Sequence, residues 1–225
     1  MRILSTLAVQ GALPALVKRF EAATNGTIEV QYAPTNGLLA RIAAGQAADI
    51  AILTRAAIDD LVGEGVLVAG SVTDIAVSHV GIAVKAGAPK PDIGSVAALT
   101  ATLLQATSIA YSRIGASGVF FAELIQRLGV ADAVNAKATI IPSGFTAELA
   151  ARGEVELAVQ QVSELMMVPG IEVVGALPAG ADSVTMFSAG ILAKSGQADA
   201  ARQVLAYLRS PDAAVALTAA GLEPA

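Results

Sequence analysis

The sequence predicts an α/β fold of two lobes, each a mostly parallel sheet flanked by helices. Short runs rich in Val and Ile alternate with longer segments rich in Ala and Leu at helical spacing. This order favours parallel strands joined by crossover helices. The chain has 225 residues, 55% of them apolar, so it is long enough to bury a large core.

The strand segments are short apolar runs with β-branched residues: 3–5, 28–32, 50–54, 76–84, 108–111, 139–141, 157–160, 171–174 and 187–193. The helical segments lie between and after them: 13–23, 38–44, 56–63, 96–104, 118–128, 146–152, 198–208 and 212–219. Gly45, Gly129 and Gly153 each follow a helical segment and are expected at its carboxyl-terminal cap.

Two long apolar strands predict where the chain passes between lobes, near 76–84 and 188–193. The first is followed by a linker-like stretch with two prolines at 88–92, a composition that interrupts regular structure. We therefore expect lobe 1 to comprise residues 1–80 plus 192–225, lobe 2 to comprise 85–187, and the two crossings to form a two-strand hinge.

Composition excludes several classes of function. A net charge of −5 with 15% charged residues and no basic cluster argues against a nucleic-acid partner. The chain has no cysteine and one histidine, His79, so neither a thiolate nor a multi-histidine metal site is expected, and no cofactor is implied. The longest uncharged run, 93–112, contains many polar residues, so membrane insertion is not expected.

The first residues run directly into a strand pattern without an apolar leader. Two compartments therefore stay open: the cytoplasm for the sequence as written, or the periplasm if a signal peptide was removed.

Three strand-to-helix junctions carry candidate ligand residues, because sites in open α/β sheets lie at the carboxyl ends of strands. The candidates are Thr6, Ala8 and Val9, then Asn36 and Gly37, then Tyr111, Ser112, Arg113 and Ser117. Helix amino termini offer unpaired N–H groups and a positive dipole end, so a small anionic ligand is predicted. The alternative is that the polar residues are ordinary caps and Arg113 is a solvated loop charge.

A fourth candidate set follows the predicted strand at 157–160 and consists of Gln160, Gln161 and Ser163. Ser163 is also readable as a helix cap, with Glu164 in the first helical turn. Paired glutamines after a buried strand are harder to explain as caps.

Collinear motifs resemble one protein family. They are G-L-L-A-R-I at 37–42, Gly45, A-D-I at 48–50, Y-S at 111–112, S-G at 117–118, R-G-E at 152–154, Q-Q-V-S-E-L at 160–165, V-V-G-A-L-P at 173–178 and S-A-G-I at 188–191. In order and spacing they are similar to the molybdate-binding-protein-like group of bacterial extracellular (periplasmic) solute-binding proteins. The resemblance implies a type 2 periplasmic binding fold, two-lobed, that closes over its ligand by a hinge.

Molybdate itself fits the site residues less well. Ala8 and Asn36-Gly37 stand where the molybdate binders are expected to have ligand serines, and Gln160 stands where a tyrosine is expected. We expect an organic acid instead, with Arg113, Asn36 and Gln160 meeting its several oxygens.

The resemblance leaves three functions open. The first is a solute-binding protein for ABC-type transport, a monomer that delivers an anion to a permease. The second is a cofactor-independent isomerase of a tricarboxylate, similar to trans-aconitate isomerase, with Glu164, Tyr111 or His79 as the base. The third is an intracellular anion sensor, although no helix-turn-helix segment is visible.

Overall fold

The computed structural model describes residues 1–24 and 26–225. They form two compact units, the first made of Met1–Ser78 and Thr185–Ala225 and the second of His79–Val184. The strands, in chain order, are β1 Arg2–Ser5, β2 Glu29–Tyr32, β3 Ile50–Thr54, β4 Thr73–Lys85, β5 Ile109–Ser112, β6 Ala138–Ile141, β7 Leu157–Gln161, β8 Ile171–Ala176, β9 Val184–Ile191 and β10 Glu223–Pro224. The helices are α1 Leu13–Thr24, α2 Thr35–Ala43, α3 Arg55–Gly63, α4 Val96–Gln105, α5 Ala116–Arg127, α6 Ala131–Asn135, α7 Ala147–Arg152, α8 Val162–Leu165, α9 Ala198–Leu208 and α10 Pro211–Ala219.

The first unit is a sheet covered by helices on both faces. Its strands run in the order β2-β1-β3-β9-β4, with β1 parallel to β2 and β3, and β9 antiparallel to β3. Successive strand residues point to opposite faces. Ile3 therefore joins the cluster formed with α1, α9 and α10, and Leu4 joins the cluster formed with α2 and α3.

The second unit repeats this plan with a different strand order, β4-β7-β5-β6, and β8 pairs with β4. β5 is parallel to β6 and β7, whereas β4 is antiparallel to β7 and β8. One face packs large side chains of α4 and α5, including Leu99 and Phe121. The other face carries small strand residues such as Ala110 and Ala158 against α7 and α8, which lets those helices approach closely.

The α/β class predicted from the sequence is confirmed, and each predicted strand and helix has a counterpart in the structure. The boundaries differ where they matter for the site. α2 begins at Thr35 and α5 at Ala116, so Asn36, Gly37 and Ser117 lie in the first turns of helices. α6, α8 and β10 were not predicted, because the two helices, of five and four residues, are too short to show a helical period and β10 has only two residues.

No helix among residues 1–24 and 26–225 combines the length and the apolar character needed to cross a bilayer.

One glycine sets how closely α5 approaches β5. A Cβ built at Gly118 would lie 2.0 Å from the carbonyl oxygen of Ser112 and 2.5 Å from its Oγ. These separations are far below van der Waals contact, so any side chain at residue 118 must push the helix off the strand.

We predict that Gly118→Ala lowers the free energy of unfolding by roughly 1–3 kcal/mol, the usual cost of overpacking. Gly63→Ala is the matched control, since Gly63 also lies in a helix but has open space around it. Alanine at residue 63 reduces the flexibility of the unfolded chain, so Gly63→Ala should stabilise the protein by up to about 1 kcal/mol. Urea unfolding measures both, and equal stability of the two variants would contradict the packing at Gly118.

Candidate functional site

The carboxyl edge of the first unit's sheet carries the junctions after β1 and β2. Because β1 and β2 are parallel with Ser5 opposite Tyr32, the two junctions lie at the same edge of the sheet. Thr6 follows β1, and its backbone N–H donates to the Ile52 carbonyl oxygen at 2.9 Å. The Thr6 hydroxyl makes no hydrogen bond within the described part of the chain.

Ala8 and Val9 form part of a 3₁₀ turn, Leu7–Val9, just after Thr6. Both side chains are buried in the core beside Leu13 and Leu16. Only their backbone groups are therefore suited to ligand contact, and the hydroxyl at this junction belongs to Thr6.

The amino terminus of α2 is uncapped. Pro34 occupies the cap position and has no side-chain acceptor, and the first bond into the helix runs from the Leu38 N–H to the Pro34 carbonyl oxygen. The N–H groups of Thr35, Asn36 and Gly37 therefore have no intrahelical partner. Asn36 is exposed, and its amide makes no hydrogen bond among residues 1–24 and 26–225.

The second unit has a similar uncapped helix start at α5. Gly115 occupies the cap position without a side-chain hydrogen bond, and the N–H groups of Gly118 and Val119 both donate to its carbonyl oxygen at 3.0 Å. The N–H groups of Ala116 and Ser117 remain as donors at the positive end of the helix dipole.

Ser112 lies directly beneath this helix start. It is only 4% exposed, and its Oγ has no hydrogen-bond partner in the part of the chain that the structure describes. A Cβ at Gly115 would lie 2.7 Å from that Oγ, so both glycines of the turn leave room for the hydroxyl. A buried hydroxyl without a partner costs free energy, and a bound acceptor would remove this cost.

Arg113 supplies positive charge at the same turn. Its backbone N–H donates to the Ile141 carbonyl oxygen at 2.8 Å, which fixes the loop to β6. The guanidinium is exposed and forms no ion pair within the described residues. It lies close enough to Tyr111 to act on the pKa of that phenol, although burial is the larger influence and raises it.

Tyr111 has a structural partner. Its hydroxyl donates to Asn135 Oδ1 at 2.7 Å, and its ring packs edge-on against Phe121 with 5.2 Å between centroids. The ring therefore anchors α5 and α6 to β5, and its hydroxyl is already engaged.

Gln160 organises the loop that precedes α7. Its Oε1 accepts from the Thr146 N–H at 2.8 Å and the Thr146 hydroxyl at 3.0 Å, and its Nε2 donates to the Gly144 carbonyl oxygen at 3.0 Å. The same side chain also hydrogen-bonds the Glu164 carboxyl group. These contacts use the full capacity of an amide side chain, so Gln160 positions its neighbours.

Glu164 is the buried acid of the second unit, with 7% of its surface exposed. Burial, the largest influence, raises its pKa to about 7, while hydrogen bonds from Gln160 and the Gln161 N–H act in the opposite direction. Near neutral pH the group is thus present in both protonation states. Gln161 and Ser163, at 1% exposure each, are buried around it.

Three residues that hold the candidate side chains in place were not predicted from the sequence: Asn135, which contacts Tyr111, and Gly144 and Thr146, which contact Gln160. Their roles depend on tertiary partners, so no local pattern identifies them. Within the described residues no three His, Asp or Glu side chains are grouped as metal ligands.

The burial of Glu164 predicts a pH dependence of stability. Because its folded pKa lies above the ordinary value of 4.5, its stabilising contribution is complete below pH 4.5. That contribution falls as the pH rises and is lost by about pH 7. The full change is on the order of 3 kcal/mol. Urea unfolding from pH 4.5 to 8 should show this decline relative to Glu164→Gln, and parallel curves for the two proteins would contradict it.

The sequence matches a known protein family and a characterised relative. Residues 1–223 match the model of the bacterial extracellular solute-binding protein family. An aconitate isomerase from Pseudomonas sp. is 36% identical over 230 aligned residues, covering 100% of this chain and 87% of that enzyme.

Solved structures share the fold. The periplasmic molybdate-binding protein of Azotobacter vinelandii superposes with a TM-score of 0.82 at 18% identity, covering 99% of this chain and 98% of the other. The sulfate-binding protein SubI of Mycobacterium tuberculosis gives 0.79 at 15% identity, covering 100% of this chain and 86% of the other. The family-model match, over residues 1–223, shows that the chain belongs to the bacterial extracellular solute-binding protein family.

Proposed function

We propose that this protein captures a small organic anion with two or more carboxylate groups. The observation that carries the proposal is the unpaired Arg113 guanidinium beside the uncapped start of α5. Amides at a helix start and a guanidinium both favour a negative ligand. Ser112, whose buried Oγ has no partner among residues 1–24 and 26–225, lies at the same turn.

The donors suit an oxyanion in general, and the aconitate isomerase relative favours a carboxylate over a tetrahedral one. A guanidinium presents parallel N–H groups that match two oxygens of either kind of ligand. Within the second unit, the Arg113 guanidinium and the helix-start amides of Ala116 and Ser117 are separate donor sets, which suits a ligand with more than one carboxylate. The start of α2, in the first unit, has donors of the same kind, with Asn36 as an exposed amide.

The family and the named neighbours support a role in solute capture. The two structural neighbours are named for molybdate and for sulfate, both of them anions. In this proposal the protein works as a monomer in the periplasm and passes its anion to an ABC-type permease.

Arg113→Gln should weaken binding of citrate or trans-aconitate at least tenfold, because a charge-assisted hydrogen bond contributes roughly 1.5–3 kcal/mol. Arg127→Gln is the matched control, since Arg127 lies at the other end of α5 over the Phe120 ring and should leave binding unchanged. Calorimetry with tricarboxylates, dicarboxylates, molybdate, tungstate and sulfate measures the effect. Tight molybdate binding without carboxylate binding would refute the proposal.

A second candidate function is isomerisation of a tricarboxylate, favoured by the aconitate isomerase relative and by Glu164. As a carboxylate, Glu164 would take a proton from a substrate carbon, and as the resulting acid it would return a proton to a carbon of the same molecule. No net proton, electron or cofactor is consumed. A pKa of about 7 suits a group that must both accept and donate near neutral pH.

Turnover separates the two candidates. If the protein is an isomerase, Glu164→Gln should lower kcat for the interconversion of trans- and cis-aconitate by at least a hundredfold while the dissociation constant changes little. Ultraviolet absorbance or proton NMR follows the interconversion. Absence of turnover in the unaltered protein, with carboxylate binding intact, assigns it to capture alone.

A further inference from the structure

The first unit contains a cavity that is separate from Thr6 and Asn36. It has a volume of about 960 Å³ and is lined by residues at the opposite, amino-terminal edge of the sheet, including Arg2 of β1 and Glu29 of β2. This volume is at the upper end of the range for small-molecule sites. None of the candidate anion-binding residues lines it.

Two helix faces contribute much of the apolar lining. α2 contributes Leu39, Ile42 and Ala43, and α3 contributes Ala57 and Leu61. These residues follow the three- and four-residue spacing of one helix face. Ile42, Ala57 and Leu61 are buried, so they form the apolar floor of the cavity.

Several polar side chains of the cavity lining already have hydrogen-bond or ion-pair partners within the protein. Arg2 pairs with Glu29 at 3.1 Å. Asp49 accepts hydrogen bonds from the Arg2 N–H at 2.8 Å, from Ser195 Oγ at 2.6 Å and from Gln197 Nε2 at 3.4 Å. These groups hold the wall together and have little capacity left for a ligand.

Asp60 and Glu64 are different, because neither carboxylate has a hydrogen bond or ion pair within the described residues. They share the cavity-lining face of α3 with Ala57 and Leu61. Lys194, also on the lining, has no ion pair with any described residue. The charged lining side chains without a described partner thus include two carboxylates and one ammonium group.

This placement of acids works against local stability. Asp60 and Glu64 are like charges four residues apart, which destabilises a helix. They also lie at its carboxyl-terminal end, where the dipole disfavours negative charge. The carboxyl-terminal end of α2, at Ala43 and Gly45, lines the same cavity and adds a second negative dipole end. Conflict with local rules is expected where a residue serves a ligand.

We propose that this cavity binds a small organic cation, an ammonium group on an apolar body. The apolar body would lie on Ile42, Ala57 and Leu61, and the ammonium group would pair with Asp60 and Glu64. A neutral apolar molecule would gain nothing from the two carboxylates, and an anion would meet these two carboxylates against the one ammonium group of Lys194. The site is independent of the proposed anion site and goes beyond it.

Calorimetry with hexylamine hydrochloride tests the proposal, with 1-hexanol and hexanoate as neutral and anionic counterparts of the same length. Hexylammonium should bind at least tenfold more tightly than either counterpart. Asp60→Asn combined with Glu64→Gln should weaken hexylammonium binding at least tenfold. Ala43→Trp, which narrows the cavity at an exposed residue, should abolish it.

Glu123→Gln is the control, an exposed acid of α5 in the second unit without a described partner, and it should bind hexylammonium like the unaltered protein. Citrate binding should be the same in all these variants, which separates this site from the proposed anion site. Equal binding of the three hexyl compounds, no binding of hexylammonium at millimolar concentration, or unchanged binding in the Asp60/Glu64 double variant would each overturn the proposal.

Discussion

The close packing of α5 on the end of β5 is the constraint on which the candidate site depends. Only a glycine at residue 118 allows the helix to begin so close to the Ser112 carbonyl oxygen. The same approach encloses the Ser112 hydroxyl without a partner and leaves two helix-start amides uncapped. A turn capped by its own Ser or Asp would be more stable but would have no free donors for an anion.

The neighbouring residues hold this arrangement in place. Arg113 is fixed to β6 through its backbone while its guanidinium stays unpaired, and Tyr111 ties β5 to α6 through Asn135. On the adjacent strand, Gln160 fixes the loop before α7 and contacts Glu164. The second unit therefore places a cation on an anchored loop and two helix-start amides at one turn, and a buried acid in α8, just after the neighbouring strand. Donors that are already oriented bind an anion without a cost of rearrangement.

The sequence was sufficient for most of the fold, since hydrophobic periodicity locates strands and helices that bury a face. It failed where that signal is absent. α8 is a single turn of four residues and β10 has two, too few for a period. The predicted starts of α2 and α5 were too late, because their cap positions hold Pro34 and Gly115. A Ser, Thr, Asp or Asn at those positions would have marked the start of the helix.

The candidate site was only partly accessible from the sequence. Strand-end logic placed Ser112, Arg113 and Ser117 at a helix start, and their contact with a ligand remains a prediction. The saturated amide of Gln160 could not be foreseen, because its partners Gly144 and Thr146 meet it through tertiary structure. The burial of Glu164 was equally hidden, since one helical turn shows no amphipathic pattern.

The most direct test of the central claim is two-dimensional NMR of ¹⁵N-labelled protein titrated with citrate. The amide signals of Ala116 and Ser117 should shift with the occupancy measured by calorimetry. The Gly129 amide, which already donates to the Gln126 carbonyl oxygen, should not move. Saturation with citrate while the Ala116 and Ser117 signals stay in place would contradict the account.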